Sequence, residues 1–286
     1  MIRDLAPLQF RLAGALLRHH REAARWTLEE AAAVLGCDRS KISRMETGDR
    51  RPRPGEVSEL LAAYGVTDRE RQAVAALTDA ARGGWWNEYR GQLPGAMVDH
   101  ATLESIADDV MVYEPQALPA FLQAGSYAAA VTAADPSLQT GEQRRLAVLL
   151  AARRAAGVRD QQRAAFTVVI GEAVLRQQVG GGEAMLGQLG QLAEEAGGLP
   201  APVTLQVTPF TAGAHPAIGA GPISIMRFRD VTGIGAIYRG WSADGVSVAR
   251  QAELTAAIRR FETLRDSSLS PEESLQLIRE VISAWR

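Results

Sequence analysis

The sequence predicts two domains of different class: an N-terminal all-α domain of five short helices, then an α+β domain with a small sheet and flanking helices. Three observations predict this. Helix start and stop residues recur five times within the first 81 positions. A Gly83-Gly84 break, followed by Trp85-Trp86, then ends that pattern. From Phe166 onward, β-branched runs alternate with helical segments that end in glycine. The 286 residues, 47% hydrophobic, supply enough apolar material for two cores. The predicted divisions are residues 1–82, a linker or junction over 83–100, and residues 101–286.

Each element follows from local chemistry. Between Leu8 and Arg25, Leu12, Leu16 and Ala23 fall on one helical face. Thr27 is an N-cap residue with Glu29 and Glu30 in the first turn, and the helix it opens ends at Leu35-Gly36. Asp38 is the next N-cap candidate, for a helix reaching Thr47-Gly48. Glu56–Tyr64 is helical and stops at Gly65, and Thr67 caps a helix that carries Val74 and Leu77 to Ala81. Trp85 and Trp86 are too costly to leave in water and are expected to pack at the junction. Leu103–Val112, Ala124–Ala133 and Gly141–Ala156 read as helices. "AFTVVI", "VTLQV", "PISIMRF" and "GIGAIY" read as strands, with helical "GEAVLRQQ" and "GEAMLGQLGQLAEEAGG" between the first two. Asp244–Arg265 and Pro271–Trp285 are amphipathic helices, the second opened by a Ser270/Glu273 capping box with Pro271 at its first position.

The formal net charge is -2, so the whole chain does not advertise a polyanion as partner. The single cysteine, Cys37, permits no internal disulfide and no cysteine metal cluster. Arginines break up the N-terminal apolar stretch, which does not read as a signal peptide, and no long uncharged apolar run follows. The expectation is a soluble, cytoplasmic protein, associated with the nucleoid when bound to DNA.

Positive charge is concentrated between residues 36 and 55. There Arg39, Lys41, Arg44, Arg50, Arg51 and Arg53 face only Asp38, Glu46 and Asp49, a local net charge of +3. The same stretch has the order helix, short turn (Gly36-Cys37-Asp38), helix. A helix-turn-helix places its second helix in the major groove of DNA, with the leading residues against base edges. Arg39, Ser40, Ser43 and Arg44 share the outward face and have the right chemistry: arginine forks onto guanine, and serine donates or accepts. Ile42 and Met45 lie on the opposite, core-facing side. Thr27, Lys41, Arg50, Arg51 and Arg53 are candidates for phosphate contacts, the last three in a loop stiffened by Pro52 and Pro54.

Residues 8–80 resemble an Xre-type, phage-repressor-like helix-turn-helix domain, and "DRSKISRMETG" follows that family's recognition helix without a gap. The resemblance implies base reading by Arg39, Ser40, Ser43 and Arg44. It also implies a buried ion pair between Arg21 and Glu46, tying the first helix to the recognition helix. The chain departs from the pattern at Leu28, where glutamine is frequent, and at Arg25, where glycine is usual.

Four further blocks, "LPAFLQAGSYAAAV", "GEAVLRQQVGGGEAMLGQLGQL", "TPFTAGAHPAIGAGPISIMRF" and "SLSPEESLQLI", resemble the C-terminal domain of the antitoxin-like, WhiJ-like regulators of actinobacteria. That resemblance implies a transcriptional regulator whose second domain binds a small partner protein encoded nearby. Arg239 stands where the family pattern has an acid. His215, in the loop "GAHPAIGAG", and Arg239 are the candidate partner or ligand positions. No catalytic triad, phosphate loop or dinucleotide fingerprint is legible, so no enzyme activity, metal or cofactor is expected. The reading is a homodimeric regulator of double-stranded, pseudo-palindromic operator DNA. The alternative is a one-component regulator whose second domain binds a small-molecule effector.

Overall fold

A computed structural model describes residues 8–160, 164–198, 203–240 and 246–285. The chain divides into two compact units. The first runs to Trp85 and also takes in Arg227–Ala236 and Ser247–Leu254. Its helices are α1 (Leu8–Ala23), α2 (Leu28–Val34), α3 (Arg39–Glu46), α4 (Pro54–Ala63) and α5 (Asp68–Arg82). α1 packs on α3, α4 and α5, and α2 packs on α3 and α4. Leu12, Leu16, Leu17, Ala31, Ile42, Met45, Leu60, Leu61 and Val74 form the buried centre. Ala23, expected on the buried face, is exposed at the last position of α1.

The helix ends explain why short segments stay helical. Thr27 and Glu30 form a reciprocal capping box: the Glu30 amide donates to Thr27 Oγ1 at 3.2 Å, and the Thr27 amide donates to Glu30 Oε2 at 2.7 Å. α2 stops at a left-handed Gly36 (φ 56°), with the Cys37 amide donating back to Ala32 O at 3.0 Å. α1 stops by the same device, except that Arg25 takes the left-handed position (φ 61°) and the Trp26 amide donates to Arg21 O at 3.0 Å. In the same unit, on α5, one Glu70 carboxylate oxygen accepts from the Thr232 amide at 2.9 Å and from its hydroxyl at 2.7 Å. Beside it Arg69 pairs with Asp230 at 2.8 Å.

The remaining residues, from Trp86 on, form the second unit. A 3-10 turn over Trp85–Tyr89 and α6 (Gly95–Ile106) occupy most of the segment expected to be a linker. Trp86 is buried. One sheet has the strand order β3-β2-β1-β4-β5-β6. The strands are β1 (Asp109–Glu114), β2 (Ala165–Gly171), β3 (Val203–Thr208), β4 (Ile223–Arg227), β5 (Ile234–Arg239) and β6 (Val246–Arg250). β1, β2 and β3 are parallel, in register through Val110↔Phe166 and Val168↔Leu205. Such pairing needs long crossovers. They are α7 (Gly125–Ala134) with α8 (Gly141–Asp160), then α9 (Ala173–Arg176) with α10 (Gly182–Gly198). α11 (Gln251–Asp266) and α12 (Pro271–Trp285) close the chain. The Ser270/Glu273 capping box opens α12, and buried Ser274 accepts the Val207 amide at 2.9 Å, fixing α12 to β3.

Two strands replace predicted helix. The helix expected over Leu103–Val112 ends at Ile106, and β1 follows, so Asp109 begins a strand instead of lying on a helix face. The helix expected over Asp244–Arg265 starts at Gln251, because Val246–Arg250 joins the sheet. Residues 241–245 lie outside the described part.

Candidate nucleic-acid interface

α3 is held from behind. Ile42 and Met45 are buried against the core, and Glu46 turns inward toward α1. There Arg21 Nε donates to Glu46 Oε1 at 2.6 Å and Arg21 Nη2 to Oε2 at 2.8 Å. The third guanidinium nitrogen, Nη1, donates to Trp26 O at 2.8 Å. The Glu46 carboxylate therefore raises the Arg21 pKa above its ordinary value and keeps the group charged. Trp26 and Tyr64 pack edge to face beside this pair, with ring centroids 5.6 Å apart. Burial raises the Tyr64 phenol pKa. One guanidinium, through three bonds, thus joins α1, the α1–α2 turn and α3.

On the outer side, Arg39, Ser40 and Arg44 are exposed and Ser43 is half-buried, all on α3. Arg44 Nε rests on Ser40 O at 3.3 Å. Arg39 Nη1 donates to Glu29 Oε1 at 2.8 Å, across the turn from α2. Asp38 has the extended backbone of an N-cap, yet its side chain makes no capping bond.

The five phosphate candidates differ. Arg50, Arg51 and Arg53 are exposed in the loop after α3, and Arg51 lies 5.8 Å from the Phe10 ring centroid. Thr27 is already engaged, its hydroxyl donating to Glu30 Oε2 at 2.9 Å. Lys41 is half-buried and paired with Glu56 at 2.8 Å. Glu56 also accepts the Arg53 amide at 2.9 Å, so it anchors the loop and α4 together. Sequence reading named the cations and missed their carboxylate partners Glu29 and Glu56. Glu29 was legible only as an acid in the first turn of α2.

The two C-terminal candidates are placed separately. His215 follows a 3-10 turn (Phe210–Ala212) after β3. Its Nδ1 accepts the Ala217 amide at 3.3 Å, and its ring lies edge-on to Tyr113, 6.2 Å between centroids. Arg239 is exposed at the end of β5. A cluster that sequence reading missed lies elsewhere in this unit. Arg154 on α8 forms a buried two-point pair with Glu104 on α6, Nε to Oε1 at 2.8 Å and Nη2 to Oε2 at 2.5 Å. Arg154 Nη2 also lies 3.4 Å from His100 Nδ1, and the His100 ring stacks on Tyr238 at 4.2 Å. At the end of β1, burial pushes the Glu114 carboxyl up to about 8, with Arg154 pulling the other way. Among the described residues, no group of three or more His, Cys, Asp or Glu side chains is arranged to hold a metal ion.

A model of the domain of unknown function DUF5753 matches residues 97–280, more than half of the chain. The chain belongs to the DUF5753 family. In this DUF5753 protein a helix-turn-helix domain also matches residues 12–74, which contain α2, α3 and the turn between them. Neither a curated protein nor a solved structure matches the chain. Among the described residues no helix is long and apolar enough to cross a membrane. The DUF5753 match takes in both parallel crossovers, while the candidate DNA-reading residues all fall inside the helix-turn-helix match.

Proposed function

We propose that the chain is a sequence-specific, DNA-binding transcriptional regulator of the Xre type. The observation that carries the reading is the two-sided design of α3. Ile42, Met45 and the Arg21–Glu46 pair fix its inner side, and Arg39, Ser40 and Arg44 stand exposed on its outer side. The exposed Arg50–Arg53 loop follows directly and supplies charge for phosphates. One short recognition helix covers few base pairs, so the regulator acts as a homodimer on half-sites about 34 Å apart, or a multiple of that. The second unit carries the dimer contact and the binding of a small partner protein, in an antitoxin-like arrangement without catalysis. The protein works in the cytoplasm.

The test is binding to duplexes selected from a random library by the wild-type protein, followed by fluorescence anisotropy at several salt concentrations. Arg39→Ala or Arg44→Ala weakens the selected site by about 1–3 kcal/mol per lost base contact and relaxes one position of the site. Neutralising Arg50, Arg51 or Arg53 weakens all duplexes alike and lowers the salt slope. Unchanged affinity in both Arg39→Ala and Arg44→Ala overturns this assignment of the reading face.

A further inference from the structure

The first residue of α3 and the second of α2 meet across the turn. Arg39 is 68% exposed and Glu29 60% exposed, so their 2.8 Å bond lies on the open side of the motif. Only Nη1 of Arg39 is used. Its Nε–Nη2 edge has no partner among the described residues. That edge is the fork that reaches O6 and N7 of guanine. Arg44, one turn along, instead folds its Nε back on its own helix.

From this geometry, and resting on the DNA-reading role proposed above, we propose that Glu29 is a specificity-determining positioning residue for Arg39. The carboxylate grips one side of the guanidinium and turns the remaining edge outward, so fewer rotamers are lost when the fork meets a base. It also places a negative charge beside the groove floor. Phosphate oxygens and base acceptors are repelled by that charge, and the local cation is partly cancelled for any duplex that lacks a well-placed guanine. The pair therefore costs indiscriminate affinity while keeping the directed contact, which is specificity by a difference of affinities. Glu29 sits at an N-terminal helix position where its own amide and Arg39 hold its carboxyl below the ordinary value, so it stays ionised at neutral pH. An exposed pair of this kind contributes little to folding. Its loss should change binding and leave melting almost untouched.

The experiment compares wild type, Glu29→Gln, Glu29→Ala, Arg39→Ala and the double variant Glu29→Gln/Arg39→Ala. Each is titrated with the wild-type-selected duplex, its single-base variants and an unrelated duplex, at several salt concentrations, alongside thermal melts. Glu29→Gln and Glu29→Ala raise affinity for the unrelated duplex and lower the specific-to-unrelated ratio by about tenfold, the size of one base contact. The loss centres on one base pair and disappears when Arg39 is already alanine. An unchanged ratio in Glu29→Gln, or an equal fall in the Arg39→Ala background, overturns the proposal. If Arg39→Ala weakens the selected site and the Glu29 variants are silent, only the role of Glu29 fails. If the wild type selects no duplex, the DNA-reading role and this inference fail together.

Discussion

Arg25 shows what a single position costs. Its left-handed backbone (φ 61°) closes α1, with its own amide donating to Glu22 O and the next amide to Arg21 O, both at 3.0 Å. A β-carbon in that conformation costs roughly 1–2 kcal/mol, part of which glycine returns as unfolded-chain entropy. Arg25→Gly is therefore expected to stabilise the protein by about 1 kcal/mol, seen as a higher urea midpoint with unchanged slope. The fold holds arginine there because the flanking pieces are fixed from both sides. Arg21 donates to the Trp26 carbonyl, and Trp26 packs on Tyr64. The same logic of a group fixed by its neighbours applies to Arg39. Composition reveals the arginine, whereas its direction depends on Glu29, ten residues earlier.

Elements meet where backbones come closest, and α1 against α3 is such a place. A β-carbon on Gly14 would lie 2.3 Å from Met45 O and 2.8 Å from Glu46 O. Those atoms are backbone and cannot swing aside, so Gly14→Ala must lift α1 off α3. The expected cost is about 1–3 kcal/mol, the range for overpacking, read by chemical denaturation. Operator affinity should fall with it, since the mount of α3 tilts. Sequence reading located all five N-terminal helices because each carries local punctuation, such as Thr27, Gly36, Thr67 and Gly65. It also located β2 to β5 from their β-branched runs. It missed β1 because Leu103 to Val112 contains no glycine or proline, and the apolar spacing runs on through Ala107. It missed β6 because the strand passes into α11 at Gln251 without a break. β1 is defined by β2 and β4, partners distant in sequence that no local pattern records, whereas β6 lies beside β5, its neighbour in the chain. The exposed side of α3 was legible for the same reason the helices were, whereas Lys41–Glu56 and Arg39–Glu29 required the fold.

At the scale of the molecule, the second unit stores charge chemistry in its interior. The Arg154–Glu104 pair is buried, and burial holds the neighbouring His100 well below its ordinary 6.5, with Arg154 adding to the effect. Glu114 keeps its proton in the folded state up to about 8, whereas the unfolded chain releases it near 4.5. Between those values the unfolded state binds fewer protons, so stability falls as pH rises and levels off above about 8. His100 acts in the other direction: the unfolded chain takes up a proton below 6.5 that the folded state refuses, so acid also destabilises. Glu114→Gln should remove the alkaline decline and leave the acid limb in place. Thermal midpoints of both proteins across about pH 5 to 8.5 check this, and parallel curves would count against a half-buried, protonated Glu114. The make-up of the first unit has a consequence for how the protein is born. Its helices leave the ribosome early, whereas Asp230 and Thr232, the partners of Arg69 and Glu70, are translated far later. At ordinary synthesis rates the delay is roughly ten seconds or more. During that interval, and in any product truncated before Arg227, the residues of α3 have been made while part of the unit they belong to is still missing.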